Sequence, residues 1–141
     1  MRKEINFESK EEMEYAKNNG NFIYMLLKGG KPVQTSKETV NGLVKMTVGI
    51  SEKTRQFFTW GAHDFKLIKA ENKNPGIKFK VDGLKFKGTV KIWYNERTDL
   101  FDIELHKNKE NNNPKEINGV YTENLHSILH HEIERDDDPD V

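Results

Sequence analysis

Apolar and polar residues alternate with period two through the middle of the chain. Ile77, Phe79 and Val81 are separated by Lys78 and Lys80, Val90 and Ile92 by Lys91, and Ile103 and Leu105 by Glu104. That period belongs to half-buried strands, with one face on a core and one in water. The strand-like runs are punctuated by Gly29-Gly30, Asn41-Gly42, Asn74-Pro75-Gly76 and Asp82-Gly83, all strong turn formers. The pattern predicts strands near 22–28, 33–40, 43–50, 55–60, 65–70, 77–81, 84–94 and 99–106, joined as an antiparallel meander.

Helical signals stand at the two ends. Ser9-Lys10-Glu11-Glu12 has the form of a capping box, and it predicts a short helix to about Asn19 that stops at Gly20, with Met13 and Ala16 as its apolar face. Near the other end Leu125, Ile128, Leu129 and Ile133 fall on one stripe at helical spacing, with Thr122 as the expected cap. The polar, Asn-rich stretch 107–118 between them is expected to be a loop. The fold class is therefore α+β. A single domain over residues 1–135 carries a twisted antiparallel sheet with a short N-terminal helix and a C-terminal helix packed on it. The acidic residues 136–141 are expected to be a disordered tail.

Composition changes this picture little. A length of 141 residues leaves room for one domain, and 35 Leu, Ile, Val and Phe residues are enough for a thin core. Three alanines disfavour a helical bundle, and the absence of cysteine excludes disulfides, cysteine-bound zinc and a thiol nucleophile. The longest apolar run, Phe22 to Leu27, is too short to cross a bilayer, and the basic-then-apolar pattern of a secretion signal is missing, so a cytoplasmic protein without a membrane partner is expected.

Charge is more informative. The net charge of zero divides into 4 positive and 5 negative residues over 1–27, 14 and 5 over 28–91, and 5 and 13 over 92–141. A basic middle followed by an acidic end points either to an anionic partner or to intramolecular neutralisation. A two-residue turn at Asp82-Gly83 would set Lys80 opposite Lys85 and Lys78 opposite Lys87, which is unfavourable unless something anionic lies over the face. A four-residue loop at 95–98 would set Lys91 opposite Asp102 and Thr89 opposite Glu104, offering neutralisation from within and a solvated, salt-bridged surface. Trp93 falls on the same outer face as the lysines, opposite Leu100. An exposed indole there can stack a base, whereas cover by the N-terminal segment or another chain would make it structural. Phe58 and Trp60 share a face at strand spacing and are read as core.

No catalytic signature is present. His126, His130 and Glu134 occur at i, i+4 and i+8, read as one exposed stripe and as a weak candidate for metal, because the order is not HExxH. His63-Asp64 is read as a turn and not as a base with its orienting acid, and no helix follows Gly29-Gly30 to cradle a phosphate. The acidic residues Asp136, Asp137, Asp138 and Asp140 are read as a solvated run that either shields the basic sheet or mimics nucleic acid. The expectation is a small non-enzymatic binding protein without cofactor. Its lysine-bearing face, Lys78, Lys80, Lys85, Lys87 and Lys91 with Trp93, engages a polyanion such as nucleic acid. The alternative is a protein-interaction module whose partner covers Trp93 and Leu100 or an exposed sheet edge.

Overall fold

Ser9 begins the first helix as its sequence predicts. Its hydroxyl accepts from the Glu12 amide at 3.1 Å, while the Glu12 carboxylate reaches back to the amide of Glu8, one residue beyond the cap itself. In the computed structural model, which describes residues 3–29, 33–40, 43–49, 52–72, 74–107 and 114–134, this helix α1 runs from Lys10 to Leu27. It does not stop at Gly20, and the strand expected at 22–28 is its last two turns. Ala16, Gly20, Ile23 and Leu27 are the reason: they recur at helical spacing and all are buried. A Cβ at Gly20 would stand 2.4 Å from Leu67 Cδ2 and 3.1 Å from Ile77 Cγ2, so the glycine lets the helix approach the sheet closely. Glycine within a helix costs about 1 kcal/mol relative to alanine, and here the close packing offsets it.

Strands β1 (Val33–Val40) and β2 (Leu43–Gly49) pair as an antiparallel hairpin in their own two-stranded sheet, with Val40 opposite Leu43. The Asn41-Gly42 turn between them lies outside the described residues, as does Gly30. Helix α2 (Glu52–Thr59) occupies the position of the strand expected at 55–60. Thr54, Phe57 and Trp60, three residues apart, are buried, and Phe58 is 62% exposed, which reverses the expected pairing of Phe58 with Trp60.

The main sheet has five antiparallel strands in chain order: β3 (His63–Lys69), β4 (Pro75–Asp82), β5 (Lys87–Asn95), β6 (Leu100–Lys107) and β7 (Lys115–Val120). His63-Asp64 thus opens β3, where the register slips before Lys66. The turn expected at Asn74-Pro75-Gly76 falls earlier, since Pro75 and Gly76 already belong to β4. Between β4 and β5 the connection is a four-residue loop, Gly83 to Phe86, and not a two-residue turn. Asp82 therefore faces Lys87, and Lys78 faces Lys91. The cause is tertiary. Helix α3 (Leu125–Ile133) ends against this loop, and its Ile133 carbonyl accepts from the amides of Lys85 and Phe86, both at 3.0 Å. Lys85 Nζ donates to the His131 carbonyl at 3.3 Å, adding a cation at the helix C-terminus.

Between β5 and β6 the register is two residues from the expected one, with Trp93 opposite Asp102 and Lys91 opposite Glu104. A shift of two preserves every face. Strand β7 takes part of the stretch expected to be loop, and residues 108–113 lie outside the described set. At the register break between β6 and β7, Gly119 donates its amide to the buried Asp102 at 2.9 Å. Thr122 opens a 3-10 turn, and the residue at the N-cap of α3 is Asn124, which makes no side-chain cap bond.

The three α-helices among the described residues pack on one face of this α+β sheet. Ile23 and Leu27 of α1, Phe57 of α2 with the adjoining Trp60, and Leu125, Leu129 and Ile133 of α3 join Phe79, Val90, Ile92 and Ile103 in one core. The opposite face is polar apart from a small cluster of Ile68, Ala70 and Trp93. No helix among the described residues is long and apolar enough to cross a membrane. Gly76 holds that cluster in place, because a Cβ there would stand 2.4 Å from the Ile92 carbonyl oxygen and 2.9 Å from Trp93 Cε3. Gly76→Ala is expected to destabilise the fold by about 1–3 kcal/mol, read from urea unfolding monitored by circular dichroism.

Candidate functional site

The period-two pattern delivers one charge per strand to a single row across the polar face. In register the row reads Lys66 on β3, Lys78 on β4, Lys91 on β5, Glu104 on β6 and Glu116 on β7. Neighbouring strands lie about 4.8 Å apart, so three ammonium-bearing stems stand side by side. Like charges directly opposite one another are unfavourable, and the cost falls mainly on Lys78, flanked on both sides.

The N-terminal segment answers that cost. The Ile5 amide donates to the Lys69 carbonyl and the Glu71 amide to the Lys3 carbonyl, both at 2.9 Å, and Glu4 bridges to Ala70. This lays the Glu4 carboxylate over the row, with Oε1 3.0 Å from Lys78 Nζ and Oε2 2.7 Å from Lys91 Nζ. Burial pushes the Glu4 carboxyl upward, but hydrogen bonds and charges from Lys91 and Lys78 together outweigh it and hold the group below its ordinary value of 4.5. Lys80, one step along β4, lies 3.7 Å from Asp64, with both side chains more than half exposed. No carboxylate among the described residues pairs with Lys66. Glu4, Asp64 and the four lysines, with Thr89 and His106, line an open groove of about 320 Å³.

Trp93 does not belong to this surface. It is fully buried, packs with Ile68 and Ala70 at the place where the N-terminal segment bridges to Ala70, and donates from Nε1 to Glu104 Oε2 at 2.9 Å. Glu104 is itself fully buried and also receives His106 Nε2 at 3.0 Å. No indole is left there to stack on a base. Of the expected lysines, Lys78, Lys80 and Lys91 meet in the groove. Lys85 turns to α3, and Lys87 pairs with Asp82 at 3.4 Å on the exposed end of the hairpin. Lys66 and Glu4 are not among the residues the sequence pointed to, and Asp64 is expected from it only as part of a turn with His63. Lys66 carries the same alternation as its neighbours, but the pairing of β3 with β4 was needed to place it. Glu4 has no local signal at all.

His126 and His130 of α3 are core residues. At about 100° per residue His126 and His130 fall roughly 20° and 60° beyond Ile133 and widen the buried stripe, so the exposed stripe expected for them is not formed. Both are buried, their rings stack with each other, and Trp60 stacks on His130 and meets His126 at a tilt of 33°. Trp60 Nε1 donates to His130 Nδ1 at 2.9 Å. His126 Nδ1 donates to the Leu27 carbonyl at 2.8 Å, and its Nε2 lies 3.0 Å from the Gln56 side-chain amide oxygen. Glu134 faces elsewhere, accepting the Leu84 amide at 3.3 Å. Among the described residues no group of three His, Asp or Glu side chains is placed to hold a metal ion. The tail carboxylates Asp136, Asp137, Asp138 and Asp140 lie outside the described residues.

Burial pushes the His126 imidazole below its ordinary value of 6.5, with the Lys53 and His130 charges acting in the same direction and the Leu27 hydrogen bond opposing. The unfolded chain thus binds a proton at higher pH than the fold does. The contribution is complete above about pH 6.5 and is lost as pH falls toward the lower, folded value. Thermal melts between pH 7.5 and 5 are expected to show falling stability, with a slope from this group of at most about 1.4 kcal/mol per pH unit, and His126→Gln is expected to flatten it.

Comparison with protein-family models, with curated proteins and with solved structures returns no match to this chain.

Proposed function

We propose that this is a non-enzymatic binding protein whose polar sheet face engages a polyanion, with a nucleic-acid backbone as the polymer of matching charge. The observation that carries the reading is the row Lys66, Lys78, Lys91 in direct register, with Lys80 beside it; among the described residues Glu4 is shared between two of the four cations and Asp64 lies 3.7 Å from Lys80. Such a row is stabilised by any anion laid across it, and phosphate contacts are the main source of sequence-independent affinity for nucleic acid. The reading differs from the sequence expectation in its residues. Lys66 enters, Lys85 and Lys87 leave, and base stacking on Trp93 drops out. The contacts are to phosphate alone, so little base preference is expected.

A second reading, a protein-interaction module, is favoured by one feature. β3 is an edge strand whose first half is exposed, and Phe65, at 38% exposure, borders an apolar groove of about 290 Å³ with Tyr24 and Leu67. Docking there would be apolar and largely insensitive to salt.

Titration of a labelled single-stranded oligonucleotide, followed by fluorescence anisotropy, separates the two. With about three phosphates contacted, affinity is expected to fall roughly 20-fold between 50 and 200 mM salt. Lys66→Glu and Lys80→Glu are each expected to weaken binding further at fixed salt, whereas Lys87→Glu is expected to have little effect. Absence of binding at the lower salt, or indifference to the first two reversals, would overturn the polyanion reading.

A further inference from the structure

We propose that Glu4 is a built-in competitor for the anion site, a carboxylate that occupies the Lys78 and Lys91 ammonium pair until a phosphate exchanges with it. The inference rests on the polyanion reading and concerns how that site is regulated.

Three observations lead to it. First, Glu4 uses its two oxygens separately, one on Lys78 and one on Lys91. Two oxygens of one phosphate would bridge the same ammonium pair in the same way. Second, Glu4 comes from outside the meander and sits on the groove wall, so its side chain can swing out while the backbone bonds at Lys69, Ala70 and Glu71 stay made. The apolar cluster around Trp93 then remains buried in both states. Third, the ion pairs are not sealed from water, with Lys78 31%, Glu4 29% and Lys91 15% exposed. Ion pairs of this kind contribute little net stability, so they are exchangeable. A backbone phosphodiester carries the same single charge and two free oxygens as a carboxylate, so it can take over the bridge, and a polymer that lays further phosphates on Lys66 and Lys80 at the same time outcompetes the one carboxylate. The like-charge pair Lys78 and Lys91 is therefore covered by an anion in either state. Asp64, near Lys80 and also on the groove wall, carries the same charge without bridging two lysines.

The test uses the full chain and the same labelled oligonucleotide. Glu4→Gln is expected to bind about tenfold more tightly than the parent protein, and Asp64→Asn, which changes net charge equally, less than about twofold more tightly. Binding by Glu4→Gln alone, with the parent silent, would overturn the exchange, because phosphate would then not displace Glu4 in the unmutated protein. If both proteins bind and Glu4→Gln gains nothing, or if Asp64→Asn gains as much, the competition is overturned and the polyanion reading stands. If neither protein binds, both fail. A readout on the unmutated protein guards against loss of fold in the variant: the Glu4 carboxyl carbon signal is expected to shift when the oligonucleotide saturates the protein, and an unchanged signal would overturn the exchange.

Discussion

Lys78 and Lys91 stand opposite each other because β4 and β5 are joined by four residues and not by two. That single register fixes the polar face. It sets Gly76 beside Trp93, so that the ring lies where no Cβ intrudes, and it sets Lys91 beside Lys78, a pair that the β3–β4 pairing extends to Lys66. It is itself held from the other side of the sheet, where the last carbonyls of α3 take the amides and the ammonium of the hairpin loop. The helix end and the loop satisfy each other's backbone groups, and neither would have partners there without the other. The charge arrangement on the outer face is in this sense a consequence of how a helix terminates on the inner one.

A polar face built this way carries a local conflict. Rows of like charge are usually avoided on sheets, and this chain resolves its row in two ways. On β6 the next position is glutamate, and over β4 and β5 the N-terminal segment supplies Glu4. Elsewhere the ions are arranged conservatively. The buried Lys69 is paired with Glu12 of α1, and Lys115 is paired with Glu132 across β7 and α3 at 2.9 Å. The row is thus the place where local consistency is relaxed, and such places are where function concentrates.

What the sequence made legible was local. The faces of β4, β5 and β6 followed from period two, the start of α1 followed from Ser9, and the stripe Leu125, Leu129, Ile133 followed from helical spacing. Errors arose where a distant partner decides the outcome. Phe22 to Leu27 is a short apolar run compatible with strand or helix, and the stripe that decides it reaches back through Gly20 to Ala16, across a residue that reads as a stop. Phe57 and Trp60 are three apart, a helical interval hidden beside the exposed Phe58. The Asp82-Gly83 turn signal was overridden by the end of α3. The burial of His126 and His130 was recoverable by continuing the angular count past Ile133. Glu4 was not recoverable, because nothing near it marks it as the counter-charge of residues more than seventy positions away.

The most direct measurement is amide chemical-shift mapping on isotope-labelled protein titrated with a short single-stranded oligonucleotide at low salt. The expected result is a continuous patch of perturbed amides at Lys66, Lys78, Lys80 and Lys91 and at the Glu4 segment, with the hairpin loop at Lys85 and Lys87 unmoved. Perturbation centred on that loop, or on the β3 edge at Phe65, or no perturbation anywhere, would contradict the assignment of this face.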